Sequence, residues 1–430
     1  MAENIAGEIR NGWLSRIPSG MVPAIRRRLL KALDGISWGV IEVHEPSGTL
    51  RLGHEGNPGP RVSVRIRDMD FYAYAGLGGS VGAGQSYFLG LWDADPLVDL
   101  VRIMVRNRDT LDRMDGGLAL VGQPLYAWFD RRRRNSLPGS RANISAHYDL
   151  GNDFFSVMLD PSMMYSAGIY PHGGASLEDA QQHKLDVICD KLCLDATTHL
   201  LEIGTGWGGL AIHAARRHGC RVTTTTISRE QHALARARVQ EAGLEDRITV
   251  LFSDYRELEG RYDRLVSIEM IEAVGHQYFD TFFARIDALL EEDGMALIQG
   301  ITIEDQRYEV YRRSVDFIKR FVFPGGSLPS VSVMMDAVRR VTSLRVRHLE
   351  DIGQHYARTL DAWRQRIEER ADELLAAGYD AAFLRLWRFY LAYCEGGFRE
   401  RSIGDVQLLL EKPECRLPSP VTGVRAGFQP

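Results

Sequence analysis

At 430 residues the chain is long enough for two or more domains, and its 45% hydrophobic and 25% charged residues describe an ordinary globular protein. A net charge of −5 gives no global attraction to nucleic acid or to anionic lipid, so any such contact must be local. No run approaches the roughly 18 apolar residues of a spanning helix, and no secretory leader opens the chain, which points to a cytoplasmic protein.

Residues 1 to about 35 read as a helical lead-in, with Arg26-Arg27-Arg28 beside Leu29-Leu30. From Gly39 to about Tyr74 alternating apolar residues (Val40, Ile41, Val43, then Val62, Val64, Ile66) predict short strands punctuated by glycine and proline. The glycine-rich segment Leu77 to Gly84 comes after no clear strand, which makes a phosphate-binding loop the lesser reading of it. Helical periodicity returns over 95–130. Residues 1–125 read as a small mixed α+β domain, and 126–142 as a linker carrying Arg131-Arg132-Arg133-Arg134 and Pro138-Gly139. A basic run is usually a solvated face. The sharper alternative is contact with phospholipid headgroups, worth about 1 kcal/mol per basic residue near an anionic surface.

From Asn143 to Gly168 polar and aromatic residues are packed too densely for a connector, which suggests a lid over a nucleotide-binding unit. That unit opens with Leu200-Leu201-Glu202-Ile203-Gly204-Thr205-Gly206-Trp207-Gly208-Gly209: a buried strand, a tight turn and a helix start. Glycine there lets a ligand approach the backbone without a Cβ in the way. The second strand, Arg221 to Ile227, carries no acid for a dinucleotide ribose, and no lysine stands after the glycines. S-adenosylmethionine is then the expected tenant, with Glu202 and the Gly204 and Gly206 amides facing its amino-acid moiety.

Strand and helix patterns alternate over 198–204, 207–218, 220–227, 228–243, 247–252, 262–270, 277–292 and 293–303, predicting a doubly wound parallel α/β sheet. Its strand ends carry Gly204, Ile227, Asp254 and Glu269, and the cofactor should lie across them. Helical, aromatic-rich insertions at 304–340 and 355–398 would cap the domain spanning 143–430, and a strand at 403–410 would close the sheet. Aromatics at helical spacing (Phe317, Phe321, Trp387, Phe389, Tyr390) are most often core; the alternative is an apolar tunnel. The five cysteines, Cys189, Cys193, Cys220, Cys394 and Cys415, show no zinc spacing and read as reduced thiols; no metal is expected.

Seven motifs recur in order in the cyclopropane-fatty-acyl-phospholipid synthases, which residues 140–412 resemble. They are His147 to Gly168, Glu202 to Gly209, Thr226 to Gln231, Asp254-Tyr255-Arg256, Glu269 to Gly275, His355 to Leu360 and Cys394 to Arg399. The resemblance implies a class I methyltransferase fold, with a lipid-binding amino-terminal domain that often dimerises. It implies an enzyme that works at the inner face of the membrane as a peripheral protein. There it would transfer a carbon from S-adenosylmethionine to the cis double bond of an unsaturated acyl chain in a bilayer phospholipid, forming a cyclopropane ring. Tyr165, Ser166, Gly204, Gly206, Thr226, Gln231, Asp254 and Tyr255 would hold the cofactor, alongside Ile227. A bound bicarbonate would remove the proton, held by Glu272, Tyr356 and the backbone near Ile301.

Two positions depart from the family pattern: Ala167 replaces a usual cysteine and Gln299 a usual histidine, both at the bicarbonate site. Weaker anion binding would favour proton loss from the acyl chain and a methyl- or methylene-branched product. A catalytically silent lipid-binding relative is disfavoured by the presence of Gly204, Gly206, Gly208 and Tyr356.

Overall fold

The computed structural model describes residues 19–115 and 151–418. These fall into two compact units, one of which is built from three separated stretches of chain: the amino-terminal residues, Glu309–Gly325 and Leu360–Ile403.

In that unit β1 (Val40–Glu45), β2 (Gly48–Leu52), β3 (Arg61–Ile66) and β4 (Trp92–Asp95) form one sheet in the order β2-β1-β3-β4. β1 runs antiparallel to β2 and parallel to β3. The alternation in β3 buries Val62, Val64 and Ile66 and exposes the residues between them, as a half-buried strand requires. The glycine-rich segment is no phosphate loop. It lies within the helix Phe71–Phe88, bent at Gly79 (φ 59°, ψ −143°). A Cβ on Gly82 would sit 2.0 Å from the Tyr74 carbonyl oxygen, and one on Gly84 would sit 2.4 Å from the Phe317 ring. These glycines are therefore spent on close packing. Phe317 and Phe389 meet at 4.7 Å, and Phe389 packs on Tyr87 at 5.3 Å. Trp387, Tyr390 and Phe398 are also buried, so these aromatics are core. In sequence those helices read as insertions in the second domain; in contacts they group with the first. Ion pairs reinforce the grouping: Arg385 with Asp93, and Arg102 and Arg106 with Glu400.

The second unit holds β5 (His199–Ile203), β6 (Arg221–Thr226), β7 (Ile248–Phe252), β8 (Tyr262–Ile268), β9 (Leu290–Ile303), β10 (Arg345–Asp351) and β11 (Ile403–Glu411). The order is β10-β11-β9-β8-β5-β6-β7. β5 to β9 are parallel, and β10 pairs antiparallel with β11. The doubly wound expectation holds. Central β5 is buried on both faces: Leu201 and Ile203 pack with Phe282, Phe283 and Met334, and Leu200 packs with Ile188, Leu210 and Leu409. Truncating Phe282 to alanine would cost about 3–5 kcal/mol. The flanking helices start where their caps say: Ser176 and Asp179 form a capping box, and Ser228 accepts from the Gln231 amide. β10 is a strand that the residue pattern does not announce. Its exposed, charge-rich sequence hides the alternation, as suits the edge of a sheet.

Among the described residues no helix is long and apolar enough to cross a membrane, and no cluster of His, Cys, Asp and Glu could hold a metal ion.

Candidate functional site

Gly204, Gly206 and Gly208 all adopt positive φ (103°, 51° and 84°), a turn that side-chain-bearing residues enter only at a cost of about 1–2 kcal/mol. A Cβ on Gly206 would meet nothing within 4 Å, so open space lies in front of the turn. Gly209 is the opposite case: its Cβ would fall 2.6 Å from the Ser162 carbonyl oxygen and 2.8 Å from the Met164 sulfur. The 160s loop is thus pressed onto the helix start. Arg238 fastens it, donating to the carbonyls of Trp207 (2.7 Å), Ser162 (3.2 Å) and Pro161 (3.0 Å). Phe155 bridges Trp207 and Tyr165 at 4.9 and 5.4 Å, and the Trp207 indole donates to Asn152. The described part of the expected lid therefore packs on the glycine turn; residues 143–150 lie outside the described range.

Glu202 is tied to the neighbouring strand through one carboxylate oxygen. Its carboxyl is buried and accepts from Thr224 Oγ1 at 2.6 Å, and burial pushes it up to about 8. The Gly204 amide likewise donates to the Thr225 carbonyl at 3.1 Å. Both groups belong to the β5–β6 seam, which leaves Gly206 as the open member of the turn. At the end of β6, Thr226 Oγ1 donates to Gln231 (2.8 Å), and Ile227 keeps partial exposure. Beyond β7, buried Asp254 grips Arg256 with both oxygens at 2.8 and 2.7 Å. Burial lifts the Tyr255 hydroxyl to about 12. Gly204, Ile227, Asp254 and Glu269 therefore sit at the carboxyl ends of four neighbouring parallel strands, as the periodicity implied.

The densest chemistry comes after β8. Glu269 is a non-glycine residue at φ 49°, a conformation that persists only where surroundings enforce it and that gathers at functional sites. Its carboxylate accepts from the Ala167 amide (2.8 Å), Gln299 Nε2 (2.8 Å) and the Tyr356 hydroxyl (2.6 Å). Glu272, on the same turn, accepts from the Ile301 amide through Oε1, while its buried Oε2 has no donor among the described residues. Gly300 makes that contact possible: a Cβ there would lie 2.6 Å from Ile271. Lys184 is fully buried and donates to Ser166 Oγ at 2.7 Å. Desolvation drives Lys184 down to about 8 and Glu272 up to about 8, and it also raises Glu269, against the pull of its three donors and of Lys184. Both glutamates keep a little accessible surface although protein surrounds them, as groups lining an internal cleft do.

Ala167, Glu272, Gln299, Ile301 and Tyr356 are thus brought together as expected, but around side-chain carboxylates of the chain. The donors assigned to bicarbonate are taken: Ala167, Gln299 and Tyr356 by Glu269, and Ile301 by Glu272. A separate bicarbonate does not fit that donor set. Sequence reasoning places Glu269 only as a strand end and misses the three donors that converge on it. A signal exists: the two departures from the family pattern, Ala167 and Gln299, are both neighbours of Glu269.

The family model for mycolic acid cyclopropane synthetase matches residues 136–408. The chain is 37% identical over 333 residues to the tuberculostearic acid methyltransferase UfaA1 of Mycobacterium tuberculosis, covering 75% of this chain and 77% of that one. It is 35% identical over 362 residues to the cyclopropane-fatty-acyl-phospholipid synthase of Escherichia coli, covering 83% and 89%. A solved mycolic acid cyclopropane synthase, CmaA1 with SAH and CTAB, superposes with a TM-score of 0.59 at 30% identity, covering 63% of this chain and 98% of that one. The chain belongs to the mycolic acid cyclopropane synthetase family and is an S-adenosylmethionine-dependent lipid methyltransferase.

Proposed function

We propose that this enzyme methylates the cis double bond of an unsaturated acyl chain in a membrane phospholipid, and that Glu269, in place of bicarbonate, accepts the proton that ends the reaction. S-adenosylmethionine supplies the electrophilic methyl group. The open turn at Gly206, flanked by Gly204, Tyr165, Ser166, Thr226, Ile227, Gln231, Asp254 and Tyr255, is the place that suits it. An alkene that gains a methyl group becomes a carbocation, and a C–H bond must then break. If the proton leaves the new methyl and the ring closes, the product is a cyclopropane. If it leaves without ring closure, the product is a methylene- or methyl-branched chain. One relative is named a tuberculostearic acid methyltransferase and the other a cyclopropane-fatty-acyl-phospholipid synthase.

The observation that carries the reading is the convergence of Ala167, Gln299 and Tyr356 on one carboxylate beside the glycine turn. Three donors favour the ionised form of Glu269, which is the form a base needs, and they hold it in one orientation. Work at a membrane surface has electrostatic support from the helix Val22–Ala32, which packs Val22, Ile25 and Leu29 against the protein and exposes Arg27, Arg28 and Lys31.

The test is incubation with unsaturated phospholipid vesicles and methyl-labelled S-adenosylmethionine, with and without added bicarbonate. Label should enter the lipid at the same rate in both. Absence of label would end the lipid-methylation reading, and a strong bicarbonate requirement would end the assignment to Glu269. Mass spectrometry before and after mild hydrogenation then separates a ring from a methylene group, since only the latter is readily reduced.

A further inference from the structure

Behind Glu269 lies a second carboxyl to which proton acceptance by Glu269 alone gives no role. Asp405, on β11, is fully buried. Its Oδ2 accepts from Gln299 Nε2 at 3.1 Å, the same nitrogen that donates to Glu269 at 2.8 Å. Its carboxyl is also within hydrogen-bonding reach of Glu269 itself, and its Oδ1 has no donor among the described residues.

The orientation of Gln299 is fixed from outside the pocket. Lys191, at one end of the chain of contacts, can only donate; it binds Gln407 Oε1 at 2.7 Å and pairs with Glu350 at 2.6 Å. The Gln407 amide nitrogen must therefore point inward, and it donates to Gln299 Oε1 at 3.0 Å. That leaves the Gln299 nitrogen facing the two carboxyls, one hydrogen for each. Two ionised carboxylates on one amide, out of water, repel each other, and a single proton between them relieves the repulsion.

Among the described residues the other charged and titratable groups around the pair are few. Lys184 comes from the helix Leu177–Lys191, Glu272 from the turn after β8, and the Tyr356 hydroxyl from the helix Gly353–Glu369. Asp351 of β10 is turned to the Gly353 amide at 2.7 Å. One lysine therefore stands against Glu269, Glu272 and Asp405. Burial and the neighbouring carboxyls hold Asp405 well above the usual carboxylate range.

We propose that Asp405 is a positioning residue for proton transfer: it carries a proton shared with Glu269, so that the pair bears one negative charge and Glu269 is the ionised member. This rests on the reading of Glu269 as the proton acceptor. In the step itself the substrate C–H bond breaks, its electron pair forms the ring bond or the double bond, and an O–H bond forms on Glu269. The pair then holds two protons and returns one to solvent before the next turnover.

The test compares Asp405→Asn and Asp405→Leu in the full chain, reading kcat against pH on unsaturated phospholipid vesicles. An asparagine amide can still donate to ionised Glu269, whereas leucine cannot. Asp405→Leu should move the acidic limb upward by about 1–2 pH units, and Asp405→Asn should leave it nearly in place. A downward shift in both variants would mean that Asp405 is an ionised neighbour, and would overturn the proposal. A fall in kcat with no shift in either limb would overturn it too, as a purely structural role. Should the leucine variant fail to fold, infrared spectra decide: wild type at neutral pH should show a protonated-carboxyl band that Asp405→Asn diminishes, and an unchanged band refutes the shared proton. Failure of the underlying reading looks different, since Glu269→Gln would then keep its turnover.

Discussion

The glycine turn after β5 and the carboxyl pocket after β8 leave neighbouring strands of one sheet, and they are built in opposite ways. The turn is a single contiguous stretch, Glu202 to Gly209, whose conformation is set by its own residues. The pocket is assembled from Ala167, Lys184, Glu269, Glu272, Gln299, Tyr356 and Asp405, which come from six elements far apart in the chain. The turn leaves space in front of Gly206, whereas the pocket is filled with mutual hydrogen bonds. Under the proposed function the difference separates binding from chemistry: the first region would hold a ligand by backbone shape, while the second would fix where protons sit.

Substitutions should divide along the same line. The largest effect is expected from Glu269→Gln, which keeps the shape but removes the base. Turnover on vesicles should fall by about 10²–10⁴-fold while calorimetric affinity for S-adenosylmethionine is unchanged. Equal loss of both would erase the distinction between the regions. Next comes Tyr356→Phe, which deletes one hydrogen bond to the Glu269 carboxylate. Such a bond is worth about 1.5–3 kcal/mol, so kcat should drop by about 10- to 100-fold, and the acidic limb of its pH profile should rise because the ionised form has lost a donor. In the turn, Gly206→Val places a β-branched residue at φ 51° and fills the open space. It should weaken cofactor binding by about tenfold or more, a loss absent from both pocket variants.

The smallest effect on turnover should come from Glu272→Gln, since a carboxyl pushed up to about 8 is already protonated at neutral pH and resembles an amide. Its effect lies in stability. The unfolded chain ionises Glu272 near the ordinary 4.5, while the folded chain keeps the proton until about 8. The stability this group contributes is complete below pH 4.5 and is lost as the pH rises toward 8. Thermal melts of Glu272→Gln across that window should therefore decline less with pH than those of wild type. Parallel curves would show that Glu272 is ionised in the folded chain.

Residue pattern by itself determined the doubly wound sheet, its strand and helix sequence from 198 to 303, and the glycine turn; the grouping of Ala167, Gln299, Ile301, Glu272 and Tyr356 came from the resemblance to the synthase family and from no spacing in the chain. Strand and helix periods and glycine turns are local, so they can be read from neighbouring residues. Tertiary structure alone decided three things. It made the glycines at 82 and 84 packing surfaces while leaving Gly206 open, because what a missing Cβ makes room for depends on residues elsewhere in the chain. It turned Glu202 into the β5–β6 seam and sent Glu309–Gly325 and Leu360–Ile403 to the amino-terminal unit, because apolar and polar partners are chosen by fit and not by order. And it gave Glu269 the donors that the family resemblance assigned to a free anion: hydrogen bonds across the fold depend on which strand ends lie side by side, and no spacing along the chain records that.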